Sequence, residues 1–210
     1  MKMLDYEKNI YSLGYKLIVG CDEAGRGPLC GPVVCAACIL PKDYQNEFIN
    51  DSKKLTEKKR RELFSVIKEV AIAYAIVAIS PQEIDKINIY EASRKGMQDA
   101  IELLNVKPDY ILTDAMPLNK FKDIPQEAIV KGDAKAMSIA AASILAKVTR
   151  DNIMDELDKK YPQYMFAKHK GYPTKLHLEL LEKYGPIKEI YRFSYNPVKK
   201  VAFGQVKLDI

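Results

Sequence analysis

Residues 16–40 read KLIVGCDEAGRGPLCGPVVCAACIL. An apolar run ends in two acids, a Gly- and Pro-rich turn follows, and a second apolar run closes the stretch. Residues 16–22 predict a strand, residues 25–31 a turn or loop, and residues 33–40 a second strand. So short a connection makes the two strands antiparallel. Downstream, Thr56 is placed to cap a helix with Glu57 in its first turn, and Leu63, Phe64, Ile67 and Val70 share one face of that helix. Residues 70–80 predict a third strand and Ser80-Pro81 a turn. Residues 89–104 predict a helix, residues 109–114 (DYILTD) a short buried strand, and residues 127–131 a further strand. Residues 134–158 predict the longest helix, stopped at Tyr161-Pro162, and residues 175–183 a helix stopped at Tyr184-Gly185-Pro186. Early strands followed by alternating helices and short strands predict an α/β fold with a mixed sheet flanked by helices. Residues 1–210 are expected to form one domain, with about 160–210 as a C-terminal helical extension.

The composition, 48% hydrophobic and 29% charged over 210 residues, is that of an ordinary globular chain with one sizeable core. Lys2, Asp5, Glu7, Lys8 and Lys16 interrupt the first residues, so no signal peptide is read. The most apolar segment, 136–148, contains Ser138, Ser143 and Lys147 and falls short of the roughly 20 residues of a bilayer span. A cytoplasmic protein without membrane association is expected. Cys21, Cys30, Cys35 and Cys38 lie close together. Cys35 and Cys38 are three apart on a strand and point to opposite faces, so they read as buried thiols rather than a metal or redox pair. The net charge of +5 permits a polyanionic partner without requiring one.

The chemistry lies in the acids. Asp22 and Glu23 end one apolar strand and Asp114 ends another. Such a position is costly for a carboxylate unless it meets a cation or water. Asp151, from the long helix, is a candidate third element. Clustered carboxylates repel one another, and an oxygen-only set of this kind suits Mg²⁺. Taken alone, Asp114 reads rather as a turn former or helix cap, and Asp151 as one acid of a solvated helix face. Asp22 and Glu23 also diverge on a regular strand, so both reach one centre only if the strand ends or bulges there. Gly25-Arg26-Gly27 is either a plain turn or a loop whose amides approach a sugar or phosphate. It lacks P-loop spacing. Lys168-His169-Lys170-Gly171-Tyr172 sets cations beside an aromatic. With two histidines in the chain a His-based zinc site is not expected, and His169 reads as a surface residue. Residues 53–61 hold a basic run that reads as a solvated helix face or a contact for phosphates.

Several of these segments together resemble the type 2 ribonuclease H family, specifically ribonuclease HII. They are GCDEAGRGPLCGPVV at 20–34, DSKKL at 51–55, IAAASILAKVTRD at 139–151, HKGYPT at 169–174 and RFSYNPV at 192–198. The resemblance implies an RNase H-like fold and an endoribonuclease that cuts the RNA strand of RNA–DNA hybrids. It also implies incision 5′ of single ribonucleotides in duplex DNA, leaving 3′-hydroxyl and 5′-phosphate ends. It implies Asp22, Glu23, Asp114 and Asp151 as the metal-site acids, holding two Mg²⁺ or Mn²⁺ ions with substrate, and sets Asp133 aside. Gly25, Arg26 and Gly27 are implied to recognise the ribose 2′-hydroxyl, and Tyr172 to sense the RNA–DNA junction. Lys53 and Lys54 are implied as substrate contacts. The sister family ribonuclease HIII has an N-terminal substrate-binding domain and lacks the arginine of the glycine motif. A first strand opening at Lys16, together with Arg26, points to HII. A monomer is expected, and a sliding-clamp peptide in the tail has no motif behind it. Tyr195 departs from the family pattern, which has phenylalanine there.

Overall fold

The computed structural model describes residues 5–42, 44–49 and 55–204. Among them, five strands form one sheet in the order β3-β2-β1-β4-β5. The strands are β1 (Ile18–Ala24), β2 (Val33–Ile39), β3 (Ala73–Ile79), β4 (Tyr110–Asp114) and β5 (Gln126–Ile129). β1 pairs antiparallel with β2, as the short turn requires, and parallel with β4. β4 and β5 are also parallel. Cys21 stands beside Thr113 in the β1–β4 register, so Asp22 and Asp114 leave the carboxyl ends of neighbouring parallel strands. In α/β sheets that edge is where ligand sites collect.

Period-2 alternation divides the core between two faces. Val19, Cys21, Val33, Cys35, Ala37 and Ile39 pack with Ala92, Met97, Ala100 and Ile101 of helix α4 (Ile89–Glu102). Val34, Ala36 and Cys38 pack against helix α5 (Met137–Lys160) and against Leu63 and Ile67 of helix α2 (Glu57–Val70). Cys35 and Cys38 therefore face opposite ways, and all four cysteines are free and buried. Burial pushes the Cys38 thiol up to about 12, so it is inert at neutral pH.

The Ala/Ser-rich first half of α5 permits an unusually close approach to the sheet. A Cβ added to Gly20 would lie 2.1 Å from the carbonyl carbon of Ser138. Only glycine lets the central strand and this helix meet there. The N-cap of α5 is Ala136, which has no capping side chain. Glu7, on helix α1 (Asp5–Ser12), supplies the cap, its Oε1 accepting from the Ser138 N–H (2.8 Å) and hydroxyl (2.9 Å).

Two expectations shift. Thr56 caps α2 as read, accepting from the Lys59 N–H, but the helix runs through Val70 and β3 starts at Ala73. Ser80-Pro81, read as a turn, opens helix α3 (Pro81–Ile87). Ser80 caps it by accepting from the Glu83 N–H, and Pro81 takes the first helical position. Helix α6 (Phe166–His169), helix α7 (Lys175–Tyr184) and helix α8 (Asn196–Phe203) follow α5. Tyr164, Phe166, Leu181, Ile190, Tyr191 and Val198 from this region bury Leu29 and Cys30 of the β1–β2 connection and Met154 of α5. The Gly-rich turn is therefore covered by the last part of the chain. Residues 199–203, for which the sequence offered no reading, belong to α8, and residues 205–210 lie outside the described residues. Among the described residues no helix is long and apolar enough to cross a membrane.

Candidate active site

A cleft of about 200 Å³ opens at the carboxyl ends of β1 and β4. Asp22, Glu23, Gly25, Arg26, Gly27, Asp114, Ser143, Lys147 and Tyr172 are among the residues lining it. The acids and the predicted ribose-facing residues thus share one wall-to-wall space.

β1 stays regular through Ala24, which pairs with Val34, so Asp22 and Glu23 leave on opposite faces. Asp22 faces α5, is 4% exposed, and is hydrogen-bonded by the Ser143 side chain and by the Glu23 N–H at 2.7 Å. Glu23 leaves on the α4 side and reaches the cleft at the strand end, where its Oε1 lies 3.5 Å from Arg26 Nη1. The feared divergence is real, yet the end of the strand brings both carboxylates to the cleft without a bulge.

The acid that joins Asp22 and Asp114 is Asp133. Each of the three offers a carboxylate oxygen, and these oxygens lie within 4.8 Å of one another. Asp133 sits in the 3₁₀ turn Gly132–Ala134 between β5 and α5, and Asp114 Oδ1 accepts from the Gly132 N–H at 2.7 Å, tying that turn to the end of β4. Asp151, by contrast, lies one helical turn beyond Lys147 and accepts from its ammonium at 2.7 Å. It is outside the three-acid group and does not line the cleft. The resemblance set Asp133 aside in favour of Asp151; the structure brings Asp133, and not Asp151, together with Asp22 and Asp114. An acid in a Gly-Asp turn directly before the long helix was the available signal. Ser143 and Lys147, read only as parts of a packed helix, also face the cleft.

Burial and the charges of Glu23 and Asp114 push the Asp22 carboxyl well above the usual carboxylate range, against the hydrogen bonds from Ser143 and the Glu23 N–H. Like charges held this close, with only oxygen donors, fit a hard divalent cation such as Mg²⁺ or Mn²⁺ and leave zinc, with its preference for nitrogen and sulfur, ill served.

Tyr172 is 43% exposed and stands over the glycine loop: a Cβ added to Gly27 would lie 3.6 Å from its ring. Two histidines hold its backbone. The Tyr172 N–H donates to the His169 carbonyl at 2.9 Å, and His177 Nδ1 donates to the Tyr172 carbonyl at 2.9 Å. His169 was expected at the surface and is 6% exposed, its Nδ1 accepting from the Gly171 N–H and its Nε2 donating to the Tyr164 carbonyl. The rings stack at 4.0 Å. Burial, then the neighbouring His169, holds His177 down at about 4, so it is neutral in the fold. An unfolded histidine titrates near 6.5. Below that pH the unfolded chain takes up a proton that the folded one refuses, and stability falls until about pH 4. From pH 7 to 5 the loss from this residue should be about 2 kcal/mol. Thermal unfolding against pH should therefore show a steeper acid decline in the parent than in His177→Gln, and parallel curves would contradict the assignment.

Asp51, Ser52, Lys53 and Lys54 lie outside the described residues.

A mixed sheet of this order, with an oxygen-only acidic cluster at the ends of β1 and β4, defines a protein of the RNase H-like fold. The family model for ribonuclease HII matches residues 19–198. The chain is 54% identical over 195 residues to a ribonuclease HII of Acetivibrio thermocellus, an alignment covering 93% of this chain and 75% of that protein. Its structure is similar to the ribonuclease H2 of Pyrococcus horikoshii OT3, with a TM-score of 0.76 and 29% identity over 88% of this chain and 96% of that one. It is also similar to a chain of the PCNA:RNase HII complex of Archaeoglobus fulgidus, with a TM-score of 0.72 and 25% identity over 85% and 95% of the two chains. The chain belongs to the ribonuclease HII family and is a ribonuclease H enzyme. Enzymes of this class are divalent-metal-dependent endoribonucleases of RNA–DNA hybrids.

Proposed function

We propose that this chain cuts the RNA strand of RNA–DNA hybrids and also incises duplex DNA on the 5′ side of a single embedded ribonucleotide. The products carry 3′-hydroxyl and 5′-phosphate ends. The observation that carries this reading is the shared cleft, in which the acids Asp22, Glu23 and Asp114 face Gly25-Arg26-Gly27 and Tyr172 across one space.

Asp22, Asp114 and Asp133 hold the divalent ions, Mg²⁺ or Mn²⁺, with Glu23 completing the donor set from the other face of β1. Two such ions supply Lewis-acid stabilisation of the charge that develops at the attacked phosphate. Ser143 orients Asp22 through its hydrogen bond. Lys147, held by Asp151, presents a cation to the phosphate backbone. Asp151 is thereby a positioning residue for Lys147. The Gly25-Arg26-Gly27 loop approaches the 2′-hydroxyl, the group that separates RNA from DNA at a given nucleotide. The exposed Tyr172 ring packs on the following sugar, where a second 2′-hydroxyl would crowd it. Lys53 and Lys54 are phosphate contacts on this reading.

The test is a labelled DNA duplex carrying one internal ribonucleotide, incubated with the protein and Mg²⁺. A single cut 5′ of the ribonucleotide, blocked by chelator, is expected. No cut there, with an uninterrupted hybrid still cleaved, would reject the single-ribonucleotide activity. Equal cutting of a DNA-only duplex would reject ribose recognition.

A further inference from the structure

The loop that carries Gly25-Arg26-Gly27 is held from behind by an unusual buried cation. Arg192 is fully buried, and its guanidinium donates to carbonyls of the loop rather than to a carboxylate. Nη2 reaches Gly25 O at 2.7 Å and Gly31 O at 2.9 Å, Nε reaches Gly31 O at 3.0 Å, and Nη1 reaches Arg26 O at 3.0 Å. Nη1 also donates to the Tyr195 hydroxyl at 3.0 Å, and that hydroxyl donates onward to Arg26 O at 2.7 Å. The Arg26 carbonyl therefore receives two donors, one from each partner.

We propose that the Tyr195 hydroxyl is a positioning group for ribose discrimination, fixing the peptide that joins Arg26 to Gly27. A trans peptide is planar, so its N–H points opposite to its C=O. Pinning Arg26 O towards Arg192 and Tyr195 sends the Gly27 N–H the other way, away from the clamp. Gly27 lines the cleft, so the aim of this amide is set by what holds the carbonyl. A carbonyl has two lone pairs, and a single donor leaves the peptide free to rock about that bond. The second donor, Tyr195, removes the freedom.

The hydroxyl is itself delivered on a rigid support. Tyr195 stands at the N-cap position of α8, where its carbonyl accepts from the Lys199 N–H at 2.9 Å, and its ring packs against both the α4-side core and the C-terminal cluster. The Arg192 guanidinium lies over that ring, 5.2 Å from its centre. The turn before it is fixed by Asp85, whose carboxylate accepts from the Phe193 N–H at 2.8 Å and the Ser194 N–H at 2.9 Å. Phenylalanine at 195 would keep this packing and lose the second donor to Arg26 O, together with the acceptor that the hydroxyl offers Arg192 Nη1.

The inference rests on the proposed contact between the glycine loop and the 2′-hydroxyl, and the experiment separates the two. Tyr195→Phe and the parent are compared in single-turnover cleavage of the ribonucleotide-containing duplex with Mg²⁺. Affinity for the same duplex is measured in chelator, along with the thermal midpoint and cleavage of a DNA-only duplex. The variant should stay folded at the assay temperature and bind the duplex as the parent does, with a cleavage rate constant about tenfold lower, the scale of a small misplacement of a reacting group. A parental rate constant from folded Tyr195→Phe would overturn the proposal, as would a lower midpoint with no change of rate well below it, since that is a structural role alone. A loss confined to affinity would overturn it too. If the parent itself cuts the DNA-only duplex as fast, the ribose reading fails, whatever Tyr195 does.

Discussion

Asp133→Asn is expected to lower the cleavage rate constant by about a thousandfold or more, while Asp151→Asn keeps the rate within about tenfold of the parent. The ranking follows from position. A carboxylate oxygen of Asp133 lies within 4.8 Å of one from Asp22 and one from Asp114, whereas Asp151 is bonded to Lys147 away from that group. Asparagine keeps the shape and one acceptor but removes the charge that a divalent ion needs. Ion stabilisation of phosphoryl charge amounts to several kcal/mol, at 1.4 kcal/mol per factor of ten. Losing Asp151 leaves Lys147 with its charge and only a looser aim. A stability measurement gives an independent check. Burial first, then the charges of Glu23 and Asp114, push the Asp22 carboxyl up, and Asp133 adds a further acid to the same group, so like charges crowd here in the ion-free protein. Removing one charge should raise the thermal midpoint of the ion-free protein while activity disappears, the trade expected of a site built for function. Equal losses from the two variants, or the reverse ranking, would return Asp151 to the ion site.

Much of this architecture was legible because local rules and tertiary context agree. The two apolar runs at 16–22 and 33–40, joined by a short turn, predicted the antiparallel pair, and Asp114 at the end of the apolar run 109–114 predicted its place beside Asp22. Thr56 and Tyr161-Pro162 marked their helix ends as capping and proline rules require. The unread parts were those with short or tertiary signals. Helix α3 has seven residues, and Ser-Pro at its start satisfies turn and helix rules equally. Helix α6 has four residues, Phe166 and His169 among them buried, and so short a run shows no helical period. Asp133 was set aside on the resemblance, and one acid in a turn has no periodicity to argue for it. Only the tie between Gly132 and Asp114 shows that the turn is folded back to the end of β4. His169 looked exposed because Lys168 and Lys170 flank it, and its burial depends on stacking with His177, eight residues along. The two buried arginines were invisible for the same reason: their partners are carbonyls, which every residue carries.

Those arginines support the second large effect. Arg150→Met is expected to destabilise the fold by about 3–5 kcal/mol, read by urea unfolding. Arg150 is 1% exposed on α5 and donates to Pro32 O (3.1 Å), Lys170 O (2.9 Å) and Cys30 O (3.2 Å). Burial and the neighbouring Arg192 hold it down at about 10, which still leaves it charged at neutral pH. Methionine fills a similar volume but strands three carbonyls, each costing roughly 1–3 kcal/mol if left without a donor. Against a total stability of about 5–15 kcal/mol, this is a large share. Lysine should rescue little, since one ammonium on a flexible stem cannot serve three carbonyls arranged for a planar fork. The same fork explains a glycine: a Cβ at Gly25, whose φ is +102°, would lie 2.1 Å from Arg150 Nε. The residue opening the predicted ribose-facing loop is therefore glycine for two reasons, its backbone angle and the guanidinium behind it. Because Arg150 joins the β1–β2 connection to the turn that leads into Tyr172, its loss should loosen the spacing between Gly27 and the Tyr172 ring. Discrimination between a single ribonucleotide and a continuous hybrid should then fall before the protein unfolds. An Arg150→Met protein with parental stability would mean that these carbonyls find other donors, and the clamp would carry no structural weight.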